Sequence, residues 1–210
     1  MTSLFISRRA FIASSVGTGI IAAGCTTTTP EPSTAQTGTS QTGTAQTAQA
    51  ANASKRAEID NAVNVAIAQL NQQEPGSRQL MQQSKGYLVF PKVFKAGLVV
   101  GGEYGEGALR VNGRTVGYYS ATAGSIGLQA GAQQKSVFIL FMTEPALAQF
   151  QQSSGWTAGA DASVALVNVG AAGATSTEMA QRPVVGYVLT QGGLMVDASL
   201  NGTKVSKLNI

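Results

Sequence analysis

Lys85-Gly-Tyr-Leu-Val-Phe90-Pro-Lys-Val-Phe-Lys95-Ala-Gly-Leu-Val-Val100-Gly-Gly-Glu-Tyr-Gly105-Glu-Gly107 marks the point where the apolar period of the chain changes. Before it, apolar residues recur at helical spacing. From Tyr87 onward they follow the two-residue period of half-buried strands. Strands are expected at 87–90, 98–104, 108–111, 115–120, 125–132, 136–142, 163–169, 184–190 and 194–200. Asn112-Gly113 and Asn201-Gly202 lie between strand-like runs and supply the positive φ pair that a two-residue hairpin turn needs. Glycine crowds positions 97, 101, 102, 105, 107, 113, 117, 124, 127 and 131. Inside strands it marks a bend, a bulge or a close approach, so a tightly curved sheet is the first explanation and a shallow binding surface the second.

Upstream, Ile59, Val63, Ile67 and Leu70, with Ala62 and Ala66 alongside, predict an amphipathic helix over 55–73, stopped by Glu74-Pro75-Gly76. A second helix is expected over 77–84, ended by Gly86. Glu144 to Ser153 breaks the strand pattern, with Leu147 and Phe150 three apart after Pro145, and reads as a short helix across the sheet. The fold class is therefore α+β: a curled, mostly antiparallel sheet, either sandwich or partial barrel, with amino-terminal helices and one short helix near 144–153. Residues 55–210 amount to one domain without an internal linker.

Residues 1–24 have the parts of an export signal: Arg8 and Arg9, an apolar stretch from Phe11 to Ile21, and the small residues Ala22-Ala23-Gly24. That stretch is shorter than the roughly 20 apolar residues of a membrane span. Cys25, the lone cysteine, follows directly. Ala22-Ala23-Gly24-Cys25 resembles the lipobox of bacterial lipoproteins, with Ala22 where Leu is usual, and implies a diacylglycerol on the Cys25 sulfur and palmitate on the mature protein. The alternative, a plain secretory signal with an incidental cysteine, leaves an exported thiol without a disulfide partner. Ser7-Arg8-Arg9-Ala10-Phe11-Ile12 resembles the twin-arginine motif, and general secretion stays open as the route. Thr26 stands where an inner-membrane retention signal would place Asp. By resemblance to that sorting rule, the expected address is the periplasmic face of the outer membrane. Residues 25–54 then comprise the acylated cysteine and a flexible tether of Thr, Gln, Ala, Ser, Gly and Pro. As a coil it would hold the domain roughly 30 Å from the bilayer.

Composition excludes much chemistry. The chain has no histidine, so a Ser-His-Asp triad, a His general base and His-ligated metal or haem are impossible. Acylation of Cys25 would remove thiol chemistry as well. Gly102 to Gly107 is glycine-rich, yet no Gly-Lys-Ser/Thr follows and it opens no helix. Glu103 and Glu106, three apart in a strand, point to opposite faces and read as solvated turn charges. A formal charge of +4, less Arg8 and Arg9, leaves a mature value of +2, which argues little for nucleic acid. The expectation is a non-enzyme without metal or cofactor.

The stretch from Lys85 to Gly107 resembles the signature of the SYLF-domain family, whose members include lipid-binding and, in eukaryotes, actin-bundling proteins. Further pieces fall in that family's order: Gly124 to Gly131, the helix ending in Phe150, Ala162 to Ala165, and Gly193 to Gly202. The resemblance covers roughly 55–210, with one departure: Lys135 and Ser136 stand where many relatives have an acid. It implies binding to anionic phospholipid head groups through the amphipathic amino-terminal region and nearby basic residues, while actin binding does not carry over to an exported bacterial protein. The residues allow this independently. Arg78, Lys85, Lys92 and Lys95 lie in a stretch, 75–102, without an acidic residue. Near an anionic surface each basic residue contributes about 1 kcal/mol. Ordinary solvated lysines are the competing explanation, and a structural or protein-binding module of the cell envelope is the competing function.

Overall fold

Pro91 sits in the middle of a twelve-residue strand, β1 (Gly86–Gly97), that itself lies in the middle of a sheet. Proline cannot donate to a ladder and is tolerated in such a strand only at a bulge. A bulge is what the computed structural model shows. Against β2 (Val100–Val111) the register passes from Val89↔Ala108 to Lys92↔Glu106, and against β4 (Gln133–Phe141) from Phe90↔Val137 to Val93↔Lys135. Both partners thus see one extra residue in β1. The Ser136 hydroxyl donates to the Pro91 carbonyl at 2.7 Å, satisfying a group the bulge turns away from the ladder. Across from it, a Cβ on Gly107 would run into the Val89 carbonyl oxygen, and one on Gly105 would lie 2.8 Å from the Lys92 carbonyl. Those glycines are close-approach positions, and β2 runs through them unbroken instead of forming the two short strands expected at 98–104 and 108–111.

The structure describes residues 42–97, 100–126, 133–167, 178–190, 193–194 and 199–210. The expected export signal, Cys25 and the expected tether up to residue 41 lie outside the described residues, as do positions 98–99, 127–132, 168–169 and 195–198 of the expected strands. The remaining strands are β3 (Arg114–Ile126), β5 (Gly155–Thr157), β6 (Ala165–Leu166), β7 (Val184–Thr190), β8 (Gly193–Leu194) and β9 (Lys204–Lys207). Their order is β5-β9-β3-β2-β1-β4-β7-β6, with β8 beside β7, and among the described strands β6 and β7 are the parallel pair. Asn112 (φ 51°) and Gly113 (φ 75°) make the expected two-residue turn between β2 and β3. Asn201-Gly202 also forms a two-residue turn, but without the expected pair of positive φ angles. Only Gly202 has positive φ, Thr203 N–H donates to the Leu200 carbonyl at 3.0 Å, and the chain continues into β9, which pairs with β3 and β5.

Alternation divides the sheet into two faces. Leu88, Phe90 and Val93 of β1, Val137, Ile139 and Phe141 of β4, and Val184 and Val188 of β7 meet Tyr119, Trp156 and Val205 from the other end of the sheet on a concave face. Strands from opposite ends share one core because the sheet is curled into a half-barrel. Helix α3 (Glu144–Gln152), capped by the Thr143 side chain, plugs that core with Leu147 and Phe150. Phe150 packs against Phe141 with ring centroids 4.8 Å apart.

The convex face carries α1 (Thr42–Gln73) and α2 (Gly76–Gln83), whose Ile59, Val63, Ala66, Leu70, Leu80 and Met81 cover Val89, Phe138, Leu140, Val185 and Tyr187. α1 begins at Thr42, so the tether expected as far as residue 54 is helical over its last part. Alanine and glutamine are good helix formers, and extending an anchored helix avoids the costly nucleation step. Residues 47–51 of that extension are exposed.

Candidate functional site

The bulge decides where the expected cations point. Without it, Lys92 and Phe94 would continue the concave row of Leu88 and Phe90. With it, Val93 enters the concave core and Lys92 and Phe94 face outward on the convex side. Lys95, in phase with Val93, is half-buried on the concave side. The four sequence-predicted residues are therefore not one cluster. Arg78, exposed on α2, lines a cavity of about 370 Å³ with Ile67, Met81, Tyr87 and the Asn112-Gly113 turn. Lys85 lies just before β1 and reaches Glu144 of α3 at 4.0 Å, an exposed pair of little energetic weight. Lys92 lies seven positions along from Lys85, on the order of 20 Å away at strand rise.

The acids opposite the strand lysines are already engaged. Lys92 is the cross-strand partner of Glu106, but Glu106 accepts from Lys55 Nζ at 2.8 Å and from the Tyr104 hydroxyl at 2.9 Å. Burial by itself would raise the Glu106 carboxyl, and these two hydrogen bonds with the Lys55 charge outweigh it and hold the group below the usual carboxylate range. The same contact, chiefly through its hydrogen bond, raises Lys55. Tyr104 is pushed up by burial and by its bond to Glu106, so its phenol stays a neutral donor. Lys95 is the cross-strand partner of Glu103, but Glu103 pairs with Lys135 at 2.7 Å, with side chains only 13% and 18% exposed. Glu103 and Glu106 do face opposite sides of β2, as their spacing implies. They are ion-paired strand residues, however, and not solvated turn charges. Lys135, the departure from the family pattern, is what neutralises Glu103.

Arg78, Lys92 and Lys95 consequently have no ion-pair partner among the described residues, and their charge is uncompensated. The helix does not join them. Ile59, Val63 and Leu70 are buried against the sheet, and each such side chain contributes about 1.5–3 kcal/mol there, more than the roughly 1 kcal/mol of a surface cation. Asp60 locks the helix further, accepting from Thr115 Oγ1 at 2.6 Å and the Tyr118 hydroxyl at 2.8 Å, with Arg110 at 3.5 Å. No helix among the described residues is long and apolar enough to cross a membrane. Two aromatic residues escaped the sequence reading: Phe94 and Tyr104, cross-strand partners that stay 50% and 48% exposed. Their signal was Phe94 alternating in phase with Lys92, which becomes legible once the bulge is known. Cys25 lies outside the described residues.

Residues 122–209 match a family model described as Ysc84, Las17-binding protein actin regulator. The match is consistent with the SYLF-domain family. It takes in the Gly193–Gly202 and Ala162–Ala165 pieces of the SYLF pattern and begins beyond the 85–107 stretch, within β3. A search of curated proteins returns no match.

Proposed function

We propose that this chain is an exported lipoprotein, anchored through acylated Cys25 on the periplasmic face of the outer membrane, whose SYLF-like domain binds anionic phospholipid and catalyses no reaction. The observation that carries lipid binding is the uncompensated charge of Arg78 and Lys92 on the convex side of a domain that resembles the SYLF family, whose members include lipid-binding proteins. A bilayer needs no single pocket but meets one face of the domain, so Arg78 and Lys92, both on the convex side, can serve it together, while Lys95 faces the concave side. Two or three acyl chains on Cys25 would hold the protein durably, at about 0.8 kcal/mol per buried methylene, leaving the domain's own contacts to orient it.

Two experiments test this reading. Cys25→Ser should abolish metabolic palmitate labelling and processing by lipoprotein signal peptidase, and persistent label would refute the anchor. The unacylated chain should co-sediment with phosphatidylglycerol vesicles more than with phosphatidylcholine, less so as salt rises. Replacing Arg78, Lys85, Lys92 and Lys95 by Gln should largely remove that binding. Equal sedimentation of parent and variant, or none of either, rejects recognition by these cations. A protein-binding module of the cell envelope is the second reading, favoured by the protein partner that the matching family's description names.

A further inference from the structure

One row of residues crosses the convex face perpendicular to the strands: Gln134 of β4, Phe94 of β1, Tyr104 of β2, Thr122 of β3 and Lys204 of β9, each the cross-strand partner of the next. All five are exposed. At about 4.8 Å between strands the row is roughly 19 Å long, a strip over the convex surface and not a cavity. Its centre is the aromatic pair. Lys204 lies toward one end, with Thr157 of the edge strand β5 as its other cross-strand partner, and Lys92 projects from the same face beside Phe94. Neither lysine has an ion-pair partner among the described residues, and the neighbouring acid, Glu106, is held by Lys55 and Tyr104. The strip is therefore apolar in the middle with lysines on two sides, and the acid nearest its aromatic pair is ion-paired; Asp161, whose carboxylate accepts from Thr157 N–H, lies beyond the Lys204 end.

We propose that this strip is the surface the domain lays on the membrane, Phe94 and Tyr104 entering the head-group layer of an anionic bilayer while Lys92 and Lys204 meet its phosphates. Aromatic rings with one apolar and one polar edge collect at that depth, and basic residues beside them add attraction to anionic lipid. The charge complementarity selects a bilayer of this kind over a second copy of the chain, because two such strips face to face would oppose like charges. The assignment rests on the phospholipid reading above and moves the contact away from α1, whose apolar face is occupied.

The test uses the full chain carrying Cys25→Ser, which has no acyl group of its own. Its only tryptophan, Trp156, is 2% exposed in the concave core, so Phe94→Trp adds a reporter over a silent background. On mixed phosphatidylglycerol and phosphatidylcholine vesicles the introduced indole should shift to the blue and be quenched when the acyl chains are brominated. Phe94→Ala with Tyr104→Ala should weaken partitioning at least about tenfold, the two side chains being half-exposed. Val65→Ala, an exposed apolar residue on α1, should change nothing. Lys204→Gln should weaken binding to anionic vesicles alone. If the parent sediments with anionic vesicles while the indole stays unquenched and the double variant binds equally, this surface is wrong and the phospholipid reading stands. If the parent binds neither vesicle, both fall.

Discussion

Tyr118 illustrates how one residue ties α1 to the sheet. Burial first, and then its hydrogen bond to the Asp60 carboxylate, push its phenol up to about 12. The folded protein thus holds the phenolic proton more tightly than the unfolded chain, where tyrosine titrates near 10. The stability from this contact is full below about 10 and is lost as pH rises through about 12. Denaturant titrations across that window should show a falling unfolding free energy. Tyr118→Phe should lower stability at neutral pH by about 1–3 kcal/mol, as expected for a hydrogen bond to a charged group, and reduce the alkaline slope. An unchanged slope would mean that other raised tyrosines, such as Tyr119, dominate the alkaline loss.

At the scale of elements, α1 has two unequal parts. From Ile59 to Leu70 it is a core element, and Leu70 is fully buried. Leu70→Ala should cost about 2–5 kcal/mol by denaturant unfolding. Residues 47–51 of the extension are exposed. Deleting 42–51 should change stability by no more than about 0.5 kcal/mol and reduce helical ellipticity. A large loss on that deletion would mean that the extension packs on the domain. The same contrast explains why the helix runs past the boundary that its apolar residues mark: apolar periodicity reports packing, whereas propensity and propagation carry a helix into exposed turns.

Across the whole molecule, β1, β4 and β7 contribute alternate side chains to both the concave and the convex core, so neither core can open without the other. A fragment spanning 42–210 should therefore unfold in one transition, with coincident far-ultraviolet and Trp156 fluorescence curves. Separate transitions would show that the helical layer melts independently. Limited proteolysis should likewise spare 100–126, since β2 and β3 pair along their whole length.

Apolar period, turn dipeptides and the absence of histidine were local properties of the chain, and they determined the α+β class, most strands, the three principal helices and the exclusion of histidine chemistry. Periodicity holds only while the register is unbroken. Pro91 inserts one residue into β1, and that single insertion sends Lys92 and Phe94 outward and Val93 inward. Which lysines are free was equally a tertiary matter, because Glu106 is neutralised from a helix 51 positions away and Glu103 from another strand. Side-chain identity states what charge a residue carries; only the packed sheet decides which opposite charge already occupies it.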